Sequence, residues 1–472
     1  MDNFLFRHFV LDFLVVFSEL MRQKMLIPIS SAENEKALIP LDKLPLLFET
    51  IPIESLAVAS QFMRRQPKKI TPRALLFAFL QSVISEGRSL RNIAMATGFQ
   101  SGCTISKQAI DYRINDEFVG FLERVLAALL VQRSGFTTEW ADASDLFRAF
   151  TRVLVQDSTT LPLHSQLVSD FPGPTNQHGQ SATAKIQIVL DLLQERLCHF
   201  ELGAFTENDQ SKAFDILQIA QPGDLIIRDL GYFVLAALQQ LNEKGIFFLS
   251  RLRHETAIFK RGSNERIMLL ELLTQYGFLD IYVDVGAKER VPLRLVAQPV
   301  SREVYAQRLK KAQNPKDKRL SHSKEYLALL AWNIYITNVP PQIWTAQQAC
   351  QANQVRWRIE IVIKTWKSHF SIHAVPKGNT ARVKAHIYAA LIFITLFQNY
   401  FYVLLANFAG QHQKGDISLL KLAQFVKEYK FLLAIMPYNQ NLQNLIIKQI
   451  LYHCKYEHRK RLSYPQKFRT LS

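Results

Sequence analysis

Residues 353–370 read NQVRWRIEIVIKTWKSHF, and the fold of the chain turns on how this segment winds. As an α-helix of about 3.6 residues per turn, it sets Asn353, Arg356, Glu360 and Lys367 on one narrow stripe, at spacings of three, four and seven. Val355, Ile359, Val362, Trp366 and Phe370 form an apolar stripe beside it, which gives the helix a face to bury. A single carboxylate among cations at the edge of a buried face reads as the lip of a site. Taken alone, the spacing fits an ordinary surface ion pair between Arg356 and Glu360 better than a site. The helix is expected to run from about Ala346 to Phe370, and the chain reads helical from there to its end.

Upstream, the texture is β. Val153, Leu154 and Val155 lead into Gln156-Asp157-Ser158-Thr159, and Leu225-Ile226-Ile227 leads into Arg228-Asp229-Leu230-Gly231-Tyr232. Carboxylates at the carboxyl ends of buried strands sit where open α/β sheets bind ligands, although an isolated aspartate there is more often a cap or turn residue. Strands are expected at 186–193, 197–202 and 246–251, and helices at about 211–220 and 233–243. This alternation predicts an α/β sheet layered with helices. Residues 252–330 interrupt it with strand-like pieces (279–285, 293–300) and a basic run at 307–324, which suits a β-rich insertion with an exposed arm. A strand from Trp332 to Asn338 returns to the sheet.

The first 150 residues read as helical. Residues 1–30 form an extension in which Met21 and Met25 are alternative starts. Thr71-Pro72 is a helix-start signal, a capping hydroxyl followed by proline in the first turn. Further helices are expected from Ser89 to Ala96, stopping at Gly98, from Ser106 to Ile114, and from Phe118 to Val131. The pair around the glycine, with Lys107, Gln108 and Arg113 on the later helix, fits a helix-turn-helix and a plain bundle equally.

Composition narrows the partners. Over 472 residues, 57 Lys and Arg against 40 Asp and Glu leave a net charge of +17, which draws polyanions, nucleic acid foremost. The four scattered cysteines (Cys103, Cys198, Cys350, Cys454) form neither a disulfide framework nor a zinc spacing, so a reducing, cytoplasmic setting is expected. The stretch 385–408 carries no formal charge and is long enough to span a bilayer. His386, Gln398, Asn399 and Asn407 within it favour a buried core helix, and no membrane association is expected.

Taken in order, QDSTTL (156–161), RDLGYF (228–233), ITN (336–338) and NQVRWRIEIVIKTWK (353–367) resemble the motifs of bacterial insertion-sequence DDE transposases, relatives of retroviral integrases. The match is to the subgroup with a Tyr-x2-Arg-x3-Glu-x6-Lys signature helix. Seventy-two positions separate the two aspartates and 131 separate Asp229 from Glu360, and the likeness spans residues 70–410. It implies an RNase H-like catalytic core (151–251 and 331–410) interrupted by a β-rich insertion (252–330). A helical DNA-binding region (1–150) would precede the core and a basic helical region (411–472) would follow it.

The resemblance also implies a chemistry. Asp157 would bridge two Mg²⁺ ions, for which Mn²⁺ substitutes, with Asp229 and Glu360 holding one each. Arg356, Lys367 and Lys364 would contact DNA phosphates. Asn353 stands where the family has a tyrosine that grips the end phosphate, and Trp332 is the nearest candidate for a base-stacking tryptophan. Lys185 is a further phosphate candidate, with a solvated strand end as its plainer reading. The implied partners are double-stranded DNA, both transposon ends and target, with a homodimer as the active form and the bacterial nucleoid as its place of work. Two rivals stand beside this reading: a silent DNA-binding descendant, motivated by Asn353, and a membrane-associated basic protein, motivated by residues 385–408.

Overall fold

Two parallel strands form the centre of the fold. The computed structural model describes residues 51–132, 145–177, 179–314, 322–412, 415–435 and 440–457, with Gln466 and Thr470. In it β1 (Val153–Pro162) runs beside β5 (Leu225–Arg228) in the register Val153 to Leu225 through Gln156 to Arg228. Where they pair, both strands open on a short run of buried aliphatic residues, Val153–Val155 and Leu225–Ile227, as strands covered on both faces require. β3 (Gly179–Asp191) pairs antiparallel with the other edge of β1, and both β2 (Pro172–Asn176) and β4 (Arg196–Ala204) pair with β3.

On the far side, β6 (Phe247–Arg251) runs parallel to β5, and β10 (Trp332–Thr337) runs antiparallel to β6. Beyond β10 come β9 (Val291–Pro299), β8 (Leu279–Val285) and β7 (Ile258–Lys260), all antiparallel. The order is β2-β3-β1-β5-β6-β10-β9-β8-β7, with β4 branching from β3. The chain is therefore mixed α/β around one large sheet.

Strand alternation divides the core in two. Val153, Val155, Ile186, Ile188, Leu225 and Ile227 face the larger apolar core, whereas Leu154, Val189, Ile226 and Phe248 face a smaller one shared with the outer strands. Helices cover the larger face. α1 (Ile53–Ala59), α2 (Pro72–Ser85), α3 (Leu90–Ser101), α4 (Lys107–Arg113) and α5 (Asp116–Val131) precede the sheet. Thr71 caps α2, its hydroxyl accepting from the Ala74 amide at 3.0 Å. α6 (Leu235–Glu243), α7 (Leu269–Tyr276), α8 (Arg302–Gln313) and α9 (Lys324–Leu329) lie between strands. α10 (Ala346–Ala352) to α16 (Gln440–His453) complete the chain. Among them are α11 (Trp357–His369), α12 (Thr380–Leu396), α13 (Val403–Gln411), α14 (Leu419–Glu428) and α15 (Lys430–Ile435).

Several expectations are corrected. Gly98 does not stop α3, which continues to Ser101 and ends at Gly102 in a left-handed conformation (φ 64°). Gly98 instead lets the Cys103 carbonyl pack against the helix, since a Cβ there would lie 2.7 Å from that oxygen. Residues 211–220 form turns and one short three-ten helix, Asp215–Gln218, in place of an α-helix. Lys212 explains the departure: its ammonium is drawn back to Glu201 at 2.5 Å and Glu207 at 2.8 Å.

The described part of the basic run is not an arm, because α8 takes it up to Gln313. There Arg308 donates to the Leu330 and Trp332 carbonyls and to Asn333. The residue 1–30 extension lies outside the described residues, as do Lys316, Lys318 and Arg319 of the basic run and most of the basic tail.

The apolar 380–411 segment is a single rod: α12, a π-helical turn (Phe397–Tyr402) and α13. It is long and apolar enough to cross a membrane, yet 89% of its apolar window is buried inside the fold. It packs as a core helix chiefly against α5 and α2, and its π-helical turn meets β4.

Candidate active site

The β1–β5 register determines where the two aspartates lie. One step past Gln156 and Arg228 come Asp157 and Asp229, on adjacent parallel strands about 4.8 Å apart. Asp157 is the fifth residue of a ten-residue strand, not its last as the sequence suggested. It is the parallel pairing with β5 that ends there, while β1 continues against β3 to Pro162. Asp157 lies opposite Ile188, and Asp229 is two residues beyond Ile227, so both carboxylates project toward the larger core.

The same face carries α11. Val355, Ile359, Val362, Trp366 and Phe370 are all buried there, and this is the apolar stripe expected from the sequence. The expected single helix is broken, however. Asn353–Arg356 winds as a three-ten turn between α10 and α11, where Asn353 ends α10, a residue whose side chain competes with helix hydrogen bonds. Residues three apart eclipse one another in such a turn, so Asn353 stays aligned with Arg356.

Arg356 is the hub. Its Nη2 donates to Glu360 Oε1 at 2.7 Å, and its Nη1 stands 3.6 Å from Asp157 Oδ2. One guanidinium thus bridges the helix carboxylate and the strand carboxylate. Burial pushes the Asp157 carboxyl up to about 6 despite the Ser158 amide and Arg356, and the negative charges of Asp229 and Glu360 add to the rise. Asp157 is therefore close enough to feel the charge of both other carboxylates.

Carboxylate oxygens are hard donors, and like charges crowded under partial burial favour a bound cation, so the chemistry of this set suits a divalent ion. Among the described residues no three Asp, Glu, His or Cys side chains stand close enough to share one ion. The Arg356 guanidinium lies between Asp157 and Glu360.

The remaining sequence candidates fall at different distances from this centre. Lys367 Nζ donates to the Thr160 carbonyl at 3.3 Å, so it lies over β1 three residues past Asp157. Lys364 is exposed, and Asn353 is half-buried at the head of the three-ten turn. Trp332 donates from its indole to the Gly277 carbonyl at 2.9 Å and lines a cavity of about 820 Å³.

Lys185 is not brought to the carboxylates. It lies three positions before Ile188, an odd offset, so it emerges on the opposite face of the sheet. There it pairs with Asp209 at 3.0 Å and donates to the Glu207 carbonyl at 3.1 Å.

Sequence reading missed the polar network behind the site, on the face of the sheet that carries Lys185. Asp209 packs against Gly231, where a Cβ would lie 3.2 Å from its Oδ2, and it accepts from Gln187 at 3.1 Å. Gln187 in turn accepts from the Tyr232 hydroxyl. No local motif signals this contact, which needs the loop after β4 to cross the strand ends. The cavity that Trp332 lines is also lined by Arg251, Arg253, Arg308, His254 and Tyr326, which come from three separate segments.

Comparison with known proteins identifies the family. Residues 148–396 match the family described as Transposase DDE domain, a little over half of the chain. The transposase of insertion sequence IS231F from Bacillus thuringiensis subsp. israelensis is 29% identical over 355 residues, covering 71% of this chain and 73% of the relative. That of IS231D, from subsp. finitimus, is 25% identical, covering 81% and 83%. The transposase of IS1151 from Clostridium perfringens is 26% identical, covering 74% and 77%. A piggyBac transposase solved as a synaptic complex with hairpin DNA aligns at a TM-score of 0.43 and 10% identity, over 91% of this chain and 88% of that one.

Proposed function

The chain belongs to the DDE transposase family, and from that premise we propose how its residues divide the work of cutting and joining DNA. It is a DNA transposase of the insertion-sequence type. Asp157, Asp229 and Glu360 are the catalytic carboxylates. The observation that carries this assignment is the β1–β5 register, which sets the aspartates side by side under the helix bearing Glu360.

Divalent ions, Mg²⁺ with Mn²⁺ as substitute, would be held by the oxygens of Asp157, Asp229 and Glu360. Bound there, they supply an activated hydroxyl and a stabilised leaving oxygen at each phosphodiester. The chain's own part is to position DNA. Arg356 releases its carboxylates and turns its planar fork to a backbone phosphate near the cut. Lys367 and Lys364 continue the cationic track along α11, with Asn353 at its head. Trp332, His254 and Tyr326 offer flat rings among arginines in the neighbouring cavity, a composition suited to a nucleotide leaving the duplex.

The strand order β4-β3-β1-β5-β6, antiparallel at first and then parallel, supports an RNase H-like core over 151–251 and 331–410. Residues 252–330 would then be the insertion, 1–150 the end-binding region and 411–472 a basic helical close. Two DNA termini must be held together during transposition, so the active form is a homodimer on double-stranded DNA at the nucleoid. Nothing observed favours the silent descendant.

The test is cleavage of end-containing duplex DNA with Mg²⁺ or Mn²⁺ by wild type, Asp157→Ala, Asp229→Ala and Glu360→Ala. Each variant should lose several kcal/mol of transition-state stabilisation, a rate loss on the order of 10³-fold or more. If the variants cut as fast as wild type, the assignment is wrong.

A further inference from the structure

Behind Glu360, on the opposite side of the same helix, lies a buried ion pair that neither the motifs nor the mechanism accounts for. Arg358 and Glu195 are each completely buried. Arg358 Nε donates to both Glu195 oxygens at 3.0 and 2.9 Å, and its Nη2 reaches Oε2 at 2.6 Å. Nη2 also donates to the Tyr402 hydroxyl at 3.0 Å, and Nη1 to that of Tyr456 at 3.3 Å. Removing two charges from water is expensive, and a well-packed apolar pair of the same volume is often as stable. Fold stability is therefore a poor explanation for the pair.

Its surroundings point to placement. Glu195 sits in the tight turn between β3 and β4 with a left-handed backbone (φ 54°), a conformation in which glycine or asparagine meets less steric resistance. The π-helical turn grips that hairpin turn. Asn399 accepts from the Leu197 amide at 2.8 Å and donates to the Leu197 carbonyl at 2.9 Å, and Gln398 donates to the Glu195 carbonyl at 3.3 Å. An extra residue in a helix turn is a recurrent mark of functional sites, and here it aims two amides at one carboxylate-bearing loop. The chain of contacts runs from the core rod, through the hairpin turn and Glu195, to Arg358, two residues before Glu360.

We propose that Arg358 and Glu195 are positioning residues, a buried lock that fixes the rotation and height of α11 so that Glu360 faces Asp157. Arg358 keeps its charge at any working pH and holds planar, two-point contact, so it resists both rotation and sliding of the helix. Apolar packing alone would tolerate small shifts of either kind. The inference rests on the assignment of Glu360 as a catalytic carboxylate.

The test pairs Arg358→Met with Glu195→Leu in one chain, which removes the lock without leaving a buried charge behind. The expected result is an unfolding midpoint near that of wild type and unchanged affinity for end DNA. Single-turnover cleavage at saturating DNA should fall about 100-fold, the scale of a 1 Å misplacement of a reacting group. Glu195→Gln and Arg358→Lys, tested singly, should each retain more activity than the double variant, because part of the contact survives.

A double variant that folds like wild type and cuts like it overturns the proposal, as does a loss seen only in DNA affinity. Should the double variant fail to fold, the two single variants decide: wild-type cleavage in both overturns the proposal, and reduced cleavage at unchanged DNA affinity supports it. Glu360→Ala is run alongside. If it cuts normally, the active-site assignment falls; if it is dead while the double variant is normal, only the lock falls.

Discussion

Arg356 and Asp157 face each other at 3.6 Å across the gap between α11 and β1, and the same guanidinium holds Glu360 at 2.7 Å. A cation built into the chain thus spans two of the three carboxylates. Its side chain keeps one-fifth of its surface exposed and Glu360 nearly half, so solvent screens the pair. Arg356→Gln should therefore change stability by about 1 kcal/mol or less. Cleavage at saturating DNA should fall by a factor of about 10 to 100, the worth of one charge-assisted phosphate contact. Chemical unfolding and a cleavage time course check the two halves. A large stability loss with full activity would show that the residue serves the fold instead.

His386 gives the fold a definite pH response. It is buried on α12 beside Phe79, with ring centroids 5.0 Å apart, and burial with nearby Arg88 and Arg382 lowers its pKa to about 3. The unfolded chain takes up a proton at about 6.5, so stability is complete above that value and drains away as pH falls toward 3. His386→Leu removes the titration. Between pH 7 and 5, stability should shift in the variant's favour by on the order of 1–2 kcal/mol, read from denaturant unfolding at each pH. Parallel pH curves for the two proteins would refute the buried neutral imidazole.

Gly98 offers a test of sign. Replacing a mid-helix glycine with alanine ordinarily gains about 1 kcal/mol. Here the new methyl would meet the Cys103 backbone oxygen at 2.7 Å, a neighbour that cannot swing away. Gly98→Ala should instead cost about 1–3 kcal/mol through overpacking. A variant with a higher melting temperature than wild type would mean that the α3–α4 turn yields more easily than the packing implies.

Much of this was legible in the sequence because periodicity reports burial. The apolar stripe of α11 and the runs feeding Asp157 and Asp229 carry the pattern of the core they enter. Element boundaries were less legible. Gly98 reads as a terminator by propensity, but a backbone contact from Cys103 decides its role. Residues 211–220 have helical composition, but Lys212 finds its carboxylates through the tertiary fold. Lys185 shows how finely a face is set, since a change of one residue in strand parity separates it from the aspartates. The Arg358–Glu195 lock was invisible for a simpler reason. Its partners are 163 residues apart, and each alone looks like an ordinary surface charge.

The strand β10 is hydrogen-bonded along both edges, to β6 of the centre and to β9 of the outer strands, and it leads toward α10 and α11. A ladder shared in this way is stiff, so the outer strands are a lever rather than a hinged flap. DNA pulling on them would load the strand that precedes the Glu360 helix, and tension at the periphery would reach the cutting centre with little slack.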